Sequence, residues 1–159
     1  MNATDWAMLM VRDAFWAAVA AAGFAILFNV PHRTLAGCAI AAAVGHMTRT
    51  LLSQIGVDAQ IATLAGATLI GFTGVAFARR WRTPAMVFTI SAAITLVPGV
   101  VAYKTMLGLL ELTRIDPAQA TPLLADVAVN AARTAFSLGS IAVGIAAPSL
   151  LLFRQKPIV

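Results

Sequence analysis

AQIATLAGATLIGFTGVAFA, residues 59–78, runs for 20 residues without a charge. At ~1.5 Å of rise per residue, a helix of that length covers the ~30 Å hydrocarbon core of a bilayer. The stretch is therefore expected to cross a membrane, and it sets the class of the whole chain. Thr63, Ala67, Gly71, Gly74 and Ala78 fall on one of its stripes. Small residues so arranged let neighbouring helix backbones approach closely in lipid.

On either side the pattern repeats. Apolar runs cover residues 14–30, 35–52, 57–78, 84–112 and 123–153. Together they predict an all-α, polytopic integral membrane protein of about five transmembrane helices, filling residues 1–159 as a single transmembrane domain. His46 and Arg49 interrupt the run 35–52. If that run does not span, the alternative is four spans and a long apolar loop between residues 31 and 58. The first run carries a small-residue stripe of its own, at Ala14, Ala18, Ala21 and Ala25, and no small-residue cleavage site follows it, so it is expected to remain as a span.

Composition agrees. The 159 residues are 60% hydrophobic and 11% charged, against about half and about a quarter in soluble domains. The net charge of +5 comes from basic residues scattered between apolar runs, with no stripe to hold nucleic acid. A single cysteine, Cys38, excludes an intrachain disulfide and a cysteine-built metal site. No catalytic set, metal-ligand pair or glycine-rich phosphate loop appears, so neither enzymatic activity nor a cofactor is expected.

The charges sort by side. With five spans, Arg33, Arg79, Arg80, Arg82, Arg154 and Lys156 fall on one side, and Asp5, Arg12, Asp13, Asp58, Glu111, Arg114 and Asp116 on the other. Basic loops mark the cytoplasm, which predicts an N-terminus outside and a C-terminus inside.

Two features could carry chemistry. In the fourth run, Pro98 cannot donate to the carbonyl of Ile94 and Gly99 offers no side chain to resist unwinding, so the helix is expected to kink or break at Pro98-Gly99. At ~1.5 Å per residue the break lies roughly 21 Å beyond Pro84, a depth at which irregular backbone is tolerated only against protein or a water-filled cavity. Transporters use such breaks to bind solutes. Counted the same way from Leu35, Arg49 lies at a similar depth, with His46 about a turn nearer the cytoplasm. A buried arginine needs a carboxylate, backbone carbonyls or an anionic ligand. In the fifth run Asp126, Asn130, Arg133, Thr134 and Ser137 share helical spacing, with Asn130 a candidate lumen-facing group. His46 and Asp126 are the candidates for energy coupling.

Gly23-Phe24-Ala25-Ile26-Leu27-Phe28-Asn29-Val30-Pro31, then Arg33, Cys38, Gly45-His46 and Arg49, then Val87-Phe88-Thr89 leading to Pro98-Gly99 and Tyr103, resembles the threonine/serine exporter family of the ThrE type over nearly the whole chain. The resemblance is closest to its small YjjB-like membrane subunits. It implies a bacterial inner-membrane exporter of small carboxylates, either threonine and serine or a dicarboxylate such as succinate. It further implies a larger partner subunit with its own helices and a soluble N-terminal domain, and homo-oligomers are a further possibility. Taken with the physical reading, the candidate substrate residues are Arg49, His46, Pro98, Gly99, Tyr103 and Asn130. Thr95 stands where a proline often precedes the Pro98-Gly99 pair. A non-transporting assembly or scaffold subunit is the competing reading.

Overall fold

The computed structural model describes residues 3–116 and 120–152. Arg154 and Lys156, expected at the cytoplasmic face, and Pro117 lie outside them. The described chain forms six α-helices: α1 (Ala3–Leu27), α2 (Leu35–Gln54), α3 (Ala59–Trp81), α4 (Met86–Ala93), α5 (Gly99–Leu112) and α6 (Ala120–Leu152). Four of them (α1, α2, α3 and α6) are long and apolar enough to cross a membrane, and α4 with α5 supplies a fifth span as a bent pair.

The turns follow local chemistry. α1, α2 and α3 each end on a residue with positive φ, namely Asn29 (55°), Gly56 (87°) and Arg82 (50°). In each case the next N–H reaches back to close the helix end: Val30 to Ala25, Val57 to Leu52 and Thr83 to Ala78. Asp58 starts α3 by accepting the Gln60 N–H at 2.9 Å.

The helices pack through small residues. α2 lies between α1 and α3, and α4 sits across α1, α2 and α3. At the α2–α3 crossing a Cβ on Gly66 would stand 2.5 Å from the Gly45 carbonyl oxygen, so backbone meets backbone there. The expected small-residue stripe of α3 is buried at Thr63, Ala67, Gly71 and Gly74, joined by a second buried face at Ala62, Gly66 and Ile70. α3 is thus enclosed on several sides. Ala21, Ala41, Ala42, Ala67, Ile70, Ala92 and Leu96 form the central core. Nearer the α1–α2 turn, Phe77, Trp81 and Phe88 cluster beside Cys38 with ring centroids 4.9–5.7 Å apart, Trp81 stacked on Phe88 and Phe77 edge-on to both.

The register of α6 on α3 bears on the number of spans. Gly144 faces Leu64 and Ala67, while Gly71 faces Ile145 and Pro148. Both helices advance together, so they run parallel. Parallel neighbours must start on the same side of the bilayer, which requires the α4–α5 unit between them to return the chain across it. This register favours five crossings over four.

One expectation needs adjusting. The first helix begins at Ala3, well before residue 14, so Asp13 is a helical residue of α1 and not part of an aqueous segment ahead of it. Its buried stripe is Ala17, Ala21 and Ala25, with Ala14 and Ala18 only half-buried. Asp13 continues that stripe by one turn, and its carboxylate finds partners on α2. The break expected at Pro98-Gly99 is present: the fourth run, 84–112, divides into α4, a 3-10 turn over Ile94–Leu96 and α5, and the pair is bent by 60°.

Candidate functional site

The break is built at Val97 and Pro98. Val97 is extended (φ −63°, ψ 130°), and Pro98 (φ −79°, ψ 64°) forms an inverse γ-turn closed by the Gly99 N–H on the Val97 carbonyl at 2.8 Å. Gly99 is already the first residue of α5, with a backbone that does not use glycine's left-handed freedom. Proline's missing N–H thus does more here than glycine's missing side chain. Thr95 turns its hydroxyl onto the Ala92 carbonyl at 2.7 Å, helping to close the 3-10 turn before the bend.

In an unbroken helix the Leu96 carbonyl would accept the N–H of Val100. The bend releases it, and Arg49 of α2 takes it instead: Nη1 donates to the Leu96 oxygen at 3.4 Å. Arg49 passes close over Gly66, where α3 has no side chain to block it. The sequence places the arginine and the break at one depth, and the structure brings them into contact through a main-chain oxygen.

A second polar contact lies beside the first. His46 Nδ1 is 2.8 Å from Asp13 Oδ2, and Thr50 Oγ1 donates to the same oxygen at 2.8 Å. The Asp13 carboxylate also acts electrostatically on Arg49. Both members of the His46–Asp13 pair are mostly covered, with 24% and 22% of their side chains exposed. Three segments, α1, α2 and the 3-10 turn after α4, therefore meet in one polar layer inside an otherwise apolar bundle. Asp13, Thr50 and the Leu96 carbonyl were not among the candidates read from sequence. The signal for Asp13 was its place on the Ala17–Ala21–Ala25 stripe. Nothing local pointed to Thr50 or Leu96.

Other candidates lie elsewhere. Tyr103 is on α5 beyond the bend, exposed and away from Arg49. Asn130 is half-buried in α6, where its main-chain carbonyl accepts from Thr134 at 2.9 Å. Asp126 and Arg133 are exposed on the same helix, while Ser137 is buried. The layer thus unites Arg49 and His46 with the break at Pro98, and leaves Tyr103, Asn130 and Asp126 outside.

A positive guanidinium held by one main-chain oxygen keeps further donors for an anion, since arginine carries five N–H groups in a flat fork. Beside it lies the hydrogen-bonded His46–Asp13 pair. Such a set has the donors to hold a negatively charged group.

Comparison with known proteins agrees in kind. Over 156 residues the chain is 40% identical to a protein of Haemophilus influenzae (strain ATCC 51907 / DSM 11121 / KW20 / Rd) described as an uncharacterized protein. The alignment takes in 98% of this chain and 52% of the relative, so the chain spans about half the length of the curated relative it matches. No solved structure matches it. Residues 13–151, from the aspartate of the polar layer to the end of α6, match the family described as Threonine/Serine exporter, ThrE, and the chain belongs to that family.

Proposed function

We propose that this chain is a membrane subunit of an exporter for small carboxylate solutes, threonine and serine or a dicarboxylate such as succinate, and that Arg49 receives the carboxylate beside the bend. The observation that carries the reading is the contact of Arg49 with the released Leu96 carbonyl. A cation buried among apolar helices is costly unless it serves a ligand or a fixed partner. A single main-chain oxygen leaves most of its hydrogen-bonding capacity for a substrate. Membership of the exporter family supports transport over a scaffold role, and over chemistry on the solute.

The subunit acts with a larger partner of the same family. Many large apolar side chains on α1, α5 and α6 point outward, Phe15, Trp16, Tyr103, Met106 and Phe136 among them. A relative that continues for as much again as the matched part supports a second half completing the path. The partner's soluble N-terminal domain rests on the family resemblance alone. The assembly sits in the bacterial inner membrane with the N-terminus outside, since Arg33, Arg80 and Arg82 gather where α1 meets α2 and α3 meets α4, the side expected to be cytoplasmic.

Counter-flow of labelled threonine, serine and succinate, in vesicles with and without the protein encoded by the neighbouring reading frame, tests the reading. Saturable exchange that needs both proteins is the expected result; no exchange of any of the three with both present would defeat it. Orientation is checked by cysteine labelling at positions 80 and 117 in a chain with Cys38 replaced. The two should be reached from opposite sides.

A further inference from the structure

We infer that Asp13, with His46 and Thr50, is the proton-binding site of this exporter. The inference rests on the reading above and assigns coupling to a residue of α1 in place of Asp126, which is exposed on α6 and outside the polar layer.

The argument begins with hydrogens. A carboxylate only accepts, so His46 Nδ1 carries the hydrogen shared with Asp13 Oδ2, and Nε2 keeps its lone pair. Thr50 donates to the same Oδ2. Both donors converge on one oxygen, which leaves Asp13 Oδ1 and His46 Nε2 as the places where a proton can land. Arrival of one proton at either atom raises the charge of the pair by one, and departure restores it, with no other bond made or broken.

The surroundings make that charge count. On α2, Arg49 lies one turn beyond His46, and the Asp13 carboxylate acts on it electrostatically. From α3 comes Gly66, and that helix has no ionisable side chain between Ala59 and Ala78. From the 3-10 turn after α4 comes the Leu96 carbonyl, and Met86–Leu96 contains no ionisable group. Arg12, next to Asp13 in α1, is exposed. With Asp13 ionised, the layer holds one negative and one positive charge. Protonation cancels the first and leaves Arg49 unopposed, so its hold on a carboxylate tightens. A proton and the substrate carboxylate thereby favour each other's binding through one arginine and cross in the same direction, so that solute leaving the cell carries the proton with it.

A tether between α1 and α2 would use the same hydrogen bonds without needing a titratable group. Asp13→Asn separates the two roles, because the amide oxygen still accepts from Thr50 and His46 but takes up no proton in the working range. Vesicles containing the complete assembly are assayed for substrate counter-flow and for transport driven by an imposed proton gradient. Asp13→Asn is expected to lose most of its gradient-driven transport while exchange continues, so that the ratio of the two falls. An unchanged ratio overturns the inference while leaving the exporter reading intact. Absence of exchange in the unmodified assembly overturns both. If Asp13→Asn does not reach the membrane, Asp13→Gln carries the test: its amide oxygen likewise accepts from Thr50 and His46, and it takes up no proton. The same fall in the ratio is expected, and an unchanged ratio is again fatal.

Discussion

At Gly45 and Gly66 two helices touch backbone to backbone, whereas beyond Pro98 helix α5 has α6 as its main neighbour and turns Val100, Tyr103, Met106 and Leu110 outward. The contrast is one of cohesion. Lipid chains are as apolar as leucine, so large side chains gain little by preferring a neighbouring helix, and close approach of small residues supplies the adhesion. The α1–α4 bundle has that adhesion and holds the polar layer. α5 meets α6 closely at Gly108, which lies against Val127. Close packing thus fixes Arg49, Asp13 and His46, while α5, which packs mainly on α6, begins at the bend that frees the Leu96 carbonyl.

The sharpest way to break the comparison is to disturb the close packing. Gly66→Val should lower stability by about 3 kcal/mol, because the added atoms drive into the Gly45 carbonyl and force α2 from α3. Gly139→Ala in α6, where a Cβ meets nothing within 4 Å, should be neutral or gain up to ~1 kcal/mol of helix propensity. Thermal unfolding of the two variants in detergent measures the difference. Equal effects would mean that α2 and α3 are not held by close approach.

Arg49→Lys comes next and acts on transport more than on folding. A lysine ammonium can replace the charge but not the flat fork that holds Leu96 and a carboxylate together. Loss of one charge-assisted contact is worth about 2 kcal/mol, so transport below saturation should fall on the order of thirtyfold at matched protein level. Unchanged transport would remove Arg49 from substrate contact.

How much of this was legible depends on how local the cause is. The bend follows from Pro98, a single residue that cannot complete its own turn, and the spans follow from apolar runs that lipid thickness measures out. The α3 stripe likewise appears where helical spacing puts it. Asp13 looked aqueous because its partners, His46 and Thr50, are more than thirty residues away, and no window along the chain contains both ends of that contact. The position of Leu96 is harder still, since a main-chain oxygen has no sequence signature. Tyr103 and Asn130 were chosen without a known helix rotation. Bending α5 away from α2 put Tyr103 on a different surface.

Pro98→Ala should sharpen the comparison at the bend. Alanine permits the missing N–H bond and a straighter helix, and stability should rise by about 1 kcal/mol, a fraction of the ~3 kcal/mol that proline costs inside a helix, because the surrounding bundle has adapted to the bend. Straightening would also return the Leu96 carbonyl to the N–H of Val100 and take it from Arg49. Transport should therefore fall while melting temperature rises. If the bend serves packing alone, the pairing reverses: melting temperature falls, and transport declines only with the protein lost.

Tyr103→Phe has the smallest expected effect, and it tests whether α5 stays apart from the site during transport. Tyr103 is 64% exposed, on a helix whose main neighbour is α6, and no hydrogen bond to Arg49 or His46 joins it to the polar layer. Removing its hydroxyl should change the unfolding free energy of the isolated chain by less than about 0.5 kcal/mol. The apparent KM for the exported carboxylate should also stay within experimental error, because Arg49 and the Leu96 carbonyl do not depend on the phenol. A raised KM with unchanged stability would show the opposite, that α5 swings on Val97 and Pro98 to bring Tyr103 over the bound substrate. The bundle and α5 would then work as one site in turn, and the bend would be the hinge between them rather than a boundary.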